Sequence, residues 1–416
     1  MNIHPALPLR GLALWCLFVC FVGHSAPIPA TTTDGFTVPQ PNPTFTFPRD
    51  HGSHPDYKIE WWYLTGHLFT AETPARRFGF QATFFRSAAP RDVAAQPAPP
   101  NFGHDQIYLA HMALIDVSTG RFLHQERLNR SGWDASASAT TLDVRNGDWS
   151  LSLATAPLSA PSPSPLSPPA PLSPVAPQSY RQSMIDNTHP ASAESLALVG
   201  GIRADARFSL TLTPAKPLVR FGDAGYSRKG TAPTAASYYL TFPRLAASGT
   251  LIYEGKNLPV TGEAWMDHEY SSSQLDTNQV GWDWLSAQLK DGRELMFYRL
   301  RTTDGGTDPA STLTWIDTSG RTTRSPFKWE PLTTWKSPST GADYPRRIRL
   351  TTTDPAAGSE VVFLVEPVAP DQELGGSLGG VTYWEGACRI LSPEGADLGN
   401  AYLELTGYDR PVDALR

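Results

Sequence analysis

Alternation of apolar and polar residues with a period of two runs along most of this chain. In RFGFQATFFR (77–86), Phe78, Phe80, Ala82 and Phe84 fall on one side of an extended strand. In WDWLSAQLKDGRELMFYRLR (282–301), an Asp-Gly turn at Asp291-Gly292 joins two alternating runs into a hairpin. Asn146-Gly147 does the same within DVRNGDWSLSL (143–153). Turn signals recur at Thr119-Gly120, Glu254-Gly255 and Ser319-Gly320, and no long segment has helical periodicity. The pattern predicts an all-β protein.

The pattern also repeats. EWWYLTGHL (60–68) resembles GWDWLSAQL (281–289), aligning Trp61 with Trp282. RRFGFQATFFR and GRELMFYRLR follow in the same order, and then LIDVSTGR (114–121) and WIDTSGR (315–321). Three collinear matches predict two copies of one β unit. The expected organisation is residues 1–30 as a leader, 31–246 as a first domain and 247–416 as a second. A Pro/Ser/Ala-rich stretch, 155–178, reads as a loop inserted between strands of the first domain, because Pro removes donors and fixes φ. Each copy is long enough for an antiparallel barrel of lipocalin type, and a two-sheet sandwich fits the periodicity as well.

The first 30 residues place Arg10 before an apolar run from Gly11 to Gly23, followed by Ser25 and Ala26. That run is short for a membrane span and reads as a secretory signal, cut near Ala26 or Ala30. The expected location is periplasmic or secreted. Cys16 and Cys20 leave with the leader, so Cys388 alone remains of 3 cysteines and no internal disulfide forms. A net charge of −6, with no basic run, excludes a nucleic-acid partner. The 12 tryptophans serve either core packing or a pocket for an apolar ligand.

Chemistry concentrates in GEAWMDHEY (262–270). On a regular strand, His268 and Tyr270 share one face, and Asp267 and Glu269 the other. His268 can exchange a proton near neutral pH, with Tyr270 beside it. Either the strand bends to bring Asp267 or Glu269 to the imidazole, or a neighbouring strand supplies a carboxylate. Trp282 and Trp284 share a face that serves either the core or a pocket wall. Tyr298 follows on the next strand. Glu60, before Trp61 and Trp62, reads as a buried carboxylate paired with Arg86. His51, His54, Asp50 and Asp56 are spaced loosely for zinc, and no HExxH supports them, so no metal is expected. No GxSxG elbow and no phosphate-binding glycine loop appears.

The segments HPDYKIEWWYLTGHL, SYYLTFPRL, VTGEAWMDHEYSSS, GWDWLSAQLKDGRELMFYRLR, WKSPSTGADYPRR, YWEGACRI and YLELTGY together resemble the AttH/carotenoid 1,2-hydratase-like family, over about residues 50–409. The resemblance implies two tandem lipocalin-like β-barrels and a hydrophobic ligand, isoprenoid or lipid-like. For the hydratase branch it implies addition of water across an isoprenoid double bond without an organic cofactor. An acid protonates the alkene and water captures the cation. It gives His268 and Asp267 the leading catalytic roles, with Glu269 and Tyr270 beside them. Glu60, Trp61, Trp62, Trp282, Trp284 and Tyr298 are the expected ligand wall. The hydratase pattern carries Trp where this chain has Tyr270, and an Asp on the strand that here reads LMFYRLR. Other branches resemble proteins that accompany ABC export systems, which leaves a non-catalytic lipid carrier as the alternative.

Overall fold

The computed structural model describes residues 1, 27–89, 91, 106–132, 134–154 and 194–412. The Pro-rich stretch and most of the leader lie outside them. The described residues build two antiparallel sheets and no α-helix.

The first sheet holds β1 (Ile59–Thr70), β2 (Arg77–Ala88), β3 (Gln106–Asp116), β4 (Arg121–Arg130), β5 (Ala135–Ala137), β6 (Asp143–Asn146), β7 (Trp149–Leu153), β8 (Leu196–Ile202), β9 (Ala206–Pro214), β10 (Val219–Arg220), β11 (Tyr226–Arg228), β12 (Ala236–Tyr253) and β13 (Lys256–Ser273). The second holds β14 (Gln279–Leu289), β15 (Glu294–Thr302), β16 (Thr312–Ile316), β17 (Thr322–Ser325), β18 (Phe327–Lys336), β19 (Asp343–Asp354), β20 (Ser359–Pro367), β21 (Glu373–Leu374), β22 (Tyr383–Leu391) and β23 (Asp397–Thr406). Both expected Gly hairpins form, with Gly147 and Gly292 at positive φ (64° and 84°), where a Cβ would be strained.

The repeat corresponds to a shared strand order. β4-β3-β2-β1 is a four-strand meander whose β1 pairs with β13, and β17-β16-β15-β14 is a second whose β14 pairs with β23. Each sheet curls into a lipocalin-like barrel or half-barrel. In the first, side chains draw β4 toward β6: Asn129 Nδ2 donates to Asn146 Oδ1 at 2.7 Å. The division expected at 246/247 falls inside β12, which is continuous through Tyr253. The chain leaves the first sheet only after Ser273. The Glu254-Gly255 turn therefore joins two strands of one sheet, and GEAWMDHEY belongs to the first barrel.

Strand alternation gives each sheet two apolar faces. Trp62, Leu64, Phe80, Phe84, Met112 and Phe208 fill the interior of the first barrel. Leu285, Phe297, Trp315 and Leu403 fill that of the second. A third cluster, with Tyr63, Trp265, Trp284, Tyr298 and Tyr402, joins the outer faces of the two sheets. No helix among the described residues is long and apolar enough to cross a membrane.

Candidate active site: two polar clusters on opposite faces of one strand

β13 lies between β1 and β12. Its pairing with β1 runs unbroken from Ile59↔Ser271 to Thr70↔Val260, with Trp62 opposite His268 and Glu60 opposite Tyr270. No bulge interrupts DHEY on this side, so its residues alternate. His268 and Tyr270 point into the first barrel with Glu60 and Trp62. Asp267 and Glu269 point toward the second sheet. Of the two alternatives left open by the sequence, the strand runs straight and no bend brings Asp267 or Glu269 to the imidazole. The carboxylate that holds His268 is Glu60, from the neighbouring strand.

Glu60 is the centre of the inner cluster and is fully buried. Its Oε1 faces His268 Nε2 at 2.9 Å and His54 Nδ1 at 2.8 Å. Its Oε2 accepts from Arg86 Nε at 2.9 Å, Ser53 Oγ at 3.0 Å and the His54 amide at 2.9 Å. His54 Nε2 faces Asp50 Oδ1 at 3.1 Å. Both His54 nitrogens therefore meet carboxylate oxygens. Arg86 also ties down the carbonyls of His54 and Tyr57. Rings cover the charges: His54 stacks on Tyr270 at 3.6 Å and Trp62 on His268 at 4.9 Å.

Burial alone would raise the Glu60 pKa, but His268, His54 and Arg86 together hold it well below the usual carboxylate range. Burial pushes the His268 imidazole down despite Glu60, and burial with the His268 charge brings His51 to about 4. With Nε2–H directed at Glu60, a tautomer assigned from the hydrogen-bond network, His268 Nδ1 is a buried acceptor without a partner. The donor atoms of His54, Glu60 and His268 lie within 4.8 Å of one another, a set that suits a cation by residue type. The Arg86 guanidinium on the same carboxylate opposes a second positive charge there.

The outer cluster is built differently. Asp267 accepts from Thr241 Oγ1 at 2.6 Å, Tyr239 Oη at 2.7 Å and Trp265 Nε1 at 2.8 Å. Trp284 Nε1, from the second sheet, donates to Tyr239 Oη at 3.0 Å. Burial pushes the Asp267 carboxyl up to about 7, with the Glu269 charge adding and the three donors restraining the rise. Glu269 takes Lys229 Nζ at 3.0 Å and Gln274 Nε2 at 2.9 Å. The Lys229 ammonium lies over the rings of Tyr239 (4.6 Å) and Tyr298 (4.4 Å). Glu404 on β23 accepts from Thr406 Oγ1 at 2.9 Å and also bonds Trp282; burial pushes it to about 7. Trp61 and Trp282 are partly exposed. Tyr63 meets Trp284 edge-on at 5.0 Å.

The ten site residues named from the sequence thus divide between two places. Glu60, Trp62, His268 and Tyr270 form the inner cluster, while Trp61, Asp267, Glu269, Trp282, Trp284 and Tyr298 lie on the inter-sheet side. The sequence reading missed Tyr239, Glu385 and Glu404, each a polar group inside an apolar strand segment, a signal that gains meaning only once the facing surface is known. It also missed Lys229, which sits in a loop with no pattern to mark it. Chemically, the inner cluster holds its charges fixed. The outer one holds a carboxyl balanced between acid and base near neutral pH, amid aromatic rings.

Fold and site define a two-barrel, lipocalin-like protein with a polar cluster enclosed between its barrels. The AttH-like family model matches residues 38–163 and 182–408, and the chain belongs to that family. The crystal structure of an AttH protein from Nitrosomonas europaea is 32% identical, covers 89% of this chain and 98% of its own, and superposes with a TM-score of 0.70. Kievitone hydratase from Nectria haematococca shares the fold at 14% identity, with a TM-score of 0.58 over 92% of this chain and 96% of its own. No curated protein matches the sequence.

Proposed function

We propose that this protein is a cofactor-free acid–base enzyme that adds water to, or hydrolyses, an isoprenoid- or lipid-like substrate between its two barrels, with Asp267 as the proton donor. The observation that carries this reading is the Asp267 carboxyl, buried among Tyr239, Trp265 and Trp284 with a pKa of about 7. A general acid works best with a pKa near the ambient pH, and neutral water then leaves a substantial share protonated. In hydration, the proton passes from the Asp267 carboxyl to one alkene carbon. The positive charge develops on the other, where the faces of Trp61, Trp282 and Trp284 stabilise it by about 0.5–2 kcal/mol each. Water adds there and its surplus proton returns to Asp267, restoring the acid. His268 is a structural partner of Glu60 in this reading, because it faces the filled interior of the first barrel. Residues 1–26 support export to the periplasm, where branches of the family that accompany ABC export systems would meet such a substrate.

The test incubates the protein with isoprenoid alkenes in ¹⁸O-labelled water and follows the label by mass spectrometry. Asp267→Asn is expected to cut incorporation by about 10²–10⁴ in a protein that melts no lower than the parent at neutral pH. His268→Gln keeps the contact to Glu60 and is expected to retain turnover within about threefold, under one hydrogen bond's worth of free energy. An equal loss in both variants at unchanged melting would move the chemistry to the inner cluster. Tight binding of an isoprenoid with no label incorporated would make the protein a carrier.

A further inference from the structure

A second group of buried polar residues between the sheets has no place in that proton transfer. Asp267 lies beside Tyr63 on one side in the sheet; β2 and β3, carrying Gln81 and His111, lie on the other. Across from them, Glu385 belongs to the row Glu385–Glu404–Trp284–Tyr298 that crosses β22, β23, β14 and β15. Tyr63 Oη donates to Glu385 Oε1. Tyr383 Oη accepts from Gln81 Nε2 at 3.3 Å and lies 2.5 Å from His111 Nδ1. The facing surfaces of the two barrels are therefore joined by polar bonds as well as by rings.

Four atoms in this group have no partner: Glu385 Oε2, Tyr402 Oη, Gln81 Oε1 and His111 Nε2. Their residues are at most 2% exposed. About nine in ten buried polar groups in folded proteins are paired, and leaving one unpaired costs about 1–3 kcal/mol. Apolar residues of the same shape would avoid that cost, so four such atoms on facing surfaces mark a place built for a polar guest.

The donors can be counted. Burial, with the Glu404 charge adding, holds the Glu385 carboxyl well above the usual range, so it keeps its proton near neutral pH. Its Oε1 already accepts from Tyr63, which leaves an O–H on Oε2. Tyr402 offers a second O–H. Tyr383 Oη accepts a hydrogen bond from Gln81 Nε2 and, in the tautomer assigned from the hydrogen-bond network, donates to His111 Nδ1, which puts the N–H on His111 Nε2. Burial keeps that imidazole neutral, with a pKa of about 4. Glu385 and Tyr402, on one face of β22 and β23, thus offer two unused donors, while His111 Nε2 lies toward Gly379. That set suits an oxygen atom with lone pairs, not a hydrocarbon.

We propose that Glu385 and Tyr402 form the polar end of the inter-sheet site and bind an oxygen of the substrate, which is therefore an oxygenated isoprenoid (ketone, ester or alcohol) rather than a hydrocarbon. This rests on the reading of the inter-sheet space as the substrate site. Trp61, Trp282 and Trp284 hold the apolar body, and Glu385 sets its direction. Glu385 and Tyr402 are positioning residues, since they touch the bound oxygen and take no part in the proton transfer from Asp267.

The test measures equilibrium binding of geranylacetone, an isoprenoid ketone, and of the hydrocarbon with the same skeleton, by calorimetry on the full-length protein. The ketone is expected to bind about tenfold more tightly, one charge-free hydrogen-bonding site's worth, although apolar burial alone favours the hydrocarbon. Glu385→Leu is expected to bring the two within about twofold. Glu385→Gln keeps a donor and is expected to preserve the preference. Tyr402→Phe, which removes one hydroxyl, reads the same loss should the Leu variant fail to fold. Equal affinities in the parent protein, a preference that survives both Glu385→Leu and Tyr402→Phe, or binding of neither compound overturns the inference. Ketone preference without ¹⁸O incorporation leaves it standing and fails the hydration reading. Incorporation that depends on Asp267 but shows no ketone preference does the reverse.

Discussion

The two faces of β13 carry the same residue types to opposite ends. On the inner face, Glu60 meets two imidazoles, a guanidinium, a hydroxyl and an amide, and its carboxyl is held far below its ordinary pKa. On the outer face, Asp267 meets only neutral donors, Glu269 adds negative charge nearby, and the carboxyl rises to about 7. Both are buried. What separates them is positive charge. A buried carboxylate with a cation and saturated lone pairs fastens strands together. One with no cation bonded to it sits near the midpoint of its titration and can hand over a proton. The histidine that draws the eye in DHEY belongs to the first kind, and its less conspicuous neighbour to the second.

Breaking the inner cluster is expected to have the largest effect on stability. Arg86→Met leaves Glu60 buried without its guanidinium and frees the carbonyls of His54 and Tyr57. The expected cost is about 3–5 kcal/mol in urea unfolding. A cost below about 1 kcal/mol would mean that the two imidazoles alone hold Glu60 charged.

The two faces should also respond to pH with opposite signs. Glu60 and the neutral histidines His51 and His268 have folded pKa values below their unfolded ones. Their contribution is complete above about pH 6.5 and is lost as pH falls through the folded values, because the unfolded chain then binds more protons. Asp267 and Glu404 are raised to about 7. There the folded state binds more protons, so stability falls as pH rises from about 4 to 7 and stays lowered above. Asp267→Asn removes that loss at one site. It is expected to gain about 1–4 kcal/mol at pH 8 relative to pH 5, compared with the parent protein. An identical pH profile in the two proteins would place the Asp267 pKa in its ordinary range.

Much of this was readable in the chain. Period-two alternation and the Gly turns marked the strands, and the repeat that aligned Trp61 with Trp282 marked two strands with the same place in their sheets. Alternation alone separated His268 from Asp267. It also required a neighbouring carboxylate for the imidazole if the strand ran straight, and Glu60 with Arg86 stood out as a buried pair. The register between β1 and β13 was not readable, because partners 208 residues apart leave no local signature of which rows meet. The same limit displaced the domain boundary. The turn at Glu254-Gly255 looks alike whether it opens a second sheet or closes the first, and only the pairing of β13 with β1 decides. Glu385 and Glu404 escaped notice because a carboxylate in an apolar strand has meaning only when the opposite surface is known.

The finest test of the contrast falls on Tyr270. The sequence placed it beside His268, but the two rings are 5.4 Å apart at a tilt, whereas Tyr270 lies flat on His54 at 3.6 Å. Tyr57 and Tyr238 pack edge-on against it. Its contribution is therefore a ring face over the imidazole that bridges Asp50 and Glu60. Tyr270→Leu is expected to cost about 0.5–1.5 kcal/mol of stability beyond the area it removes. Tyr270→Phe keeps the face and is expected to stay within about 0.5 kcal/mol, with turnover unchanged. If the Phe variant instead lost turnover about tenfold at unchanged stability, the hydroxyl would belong to the chemistry, and the division between a fastening face and a reacting face would fail at this residue.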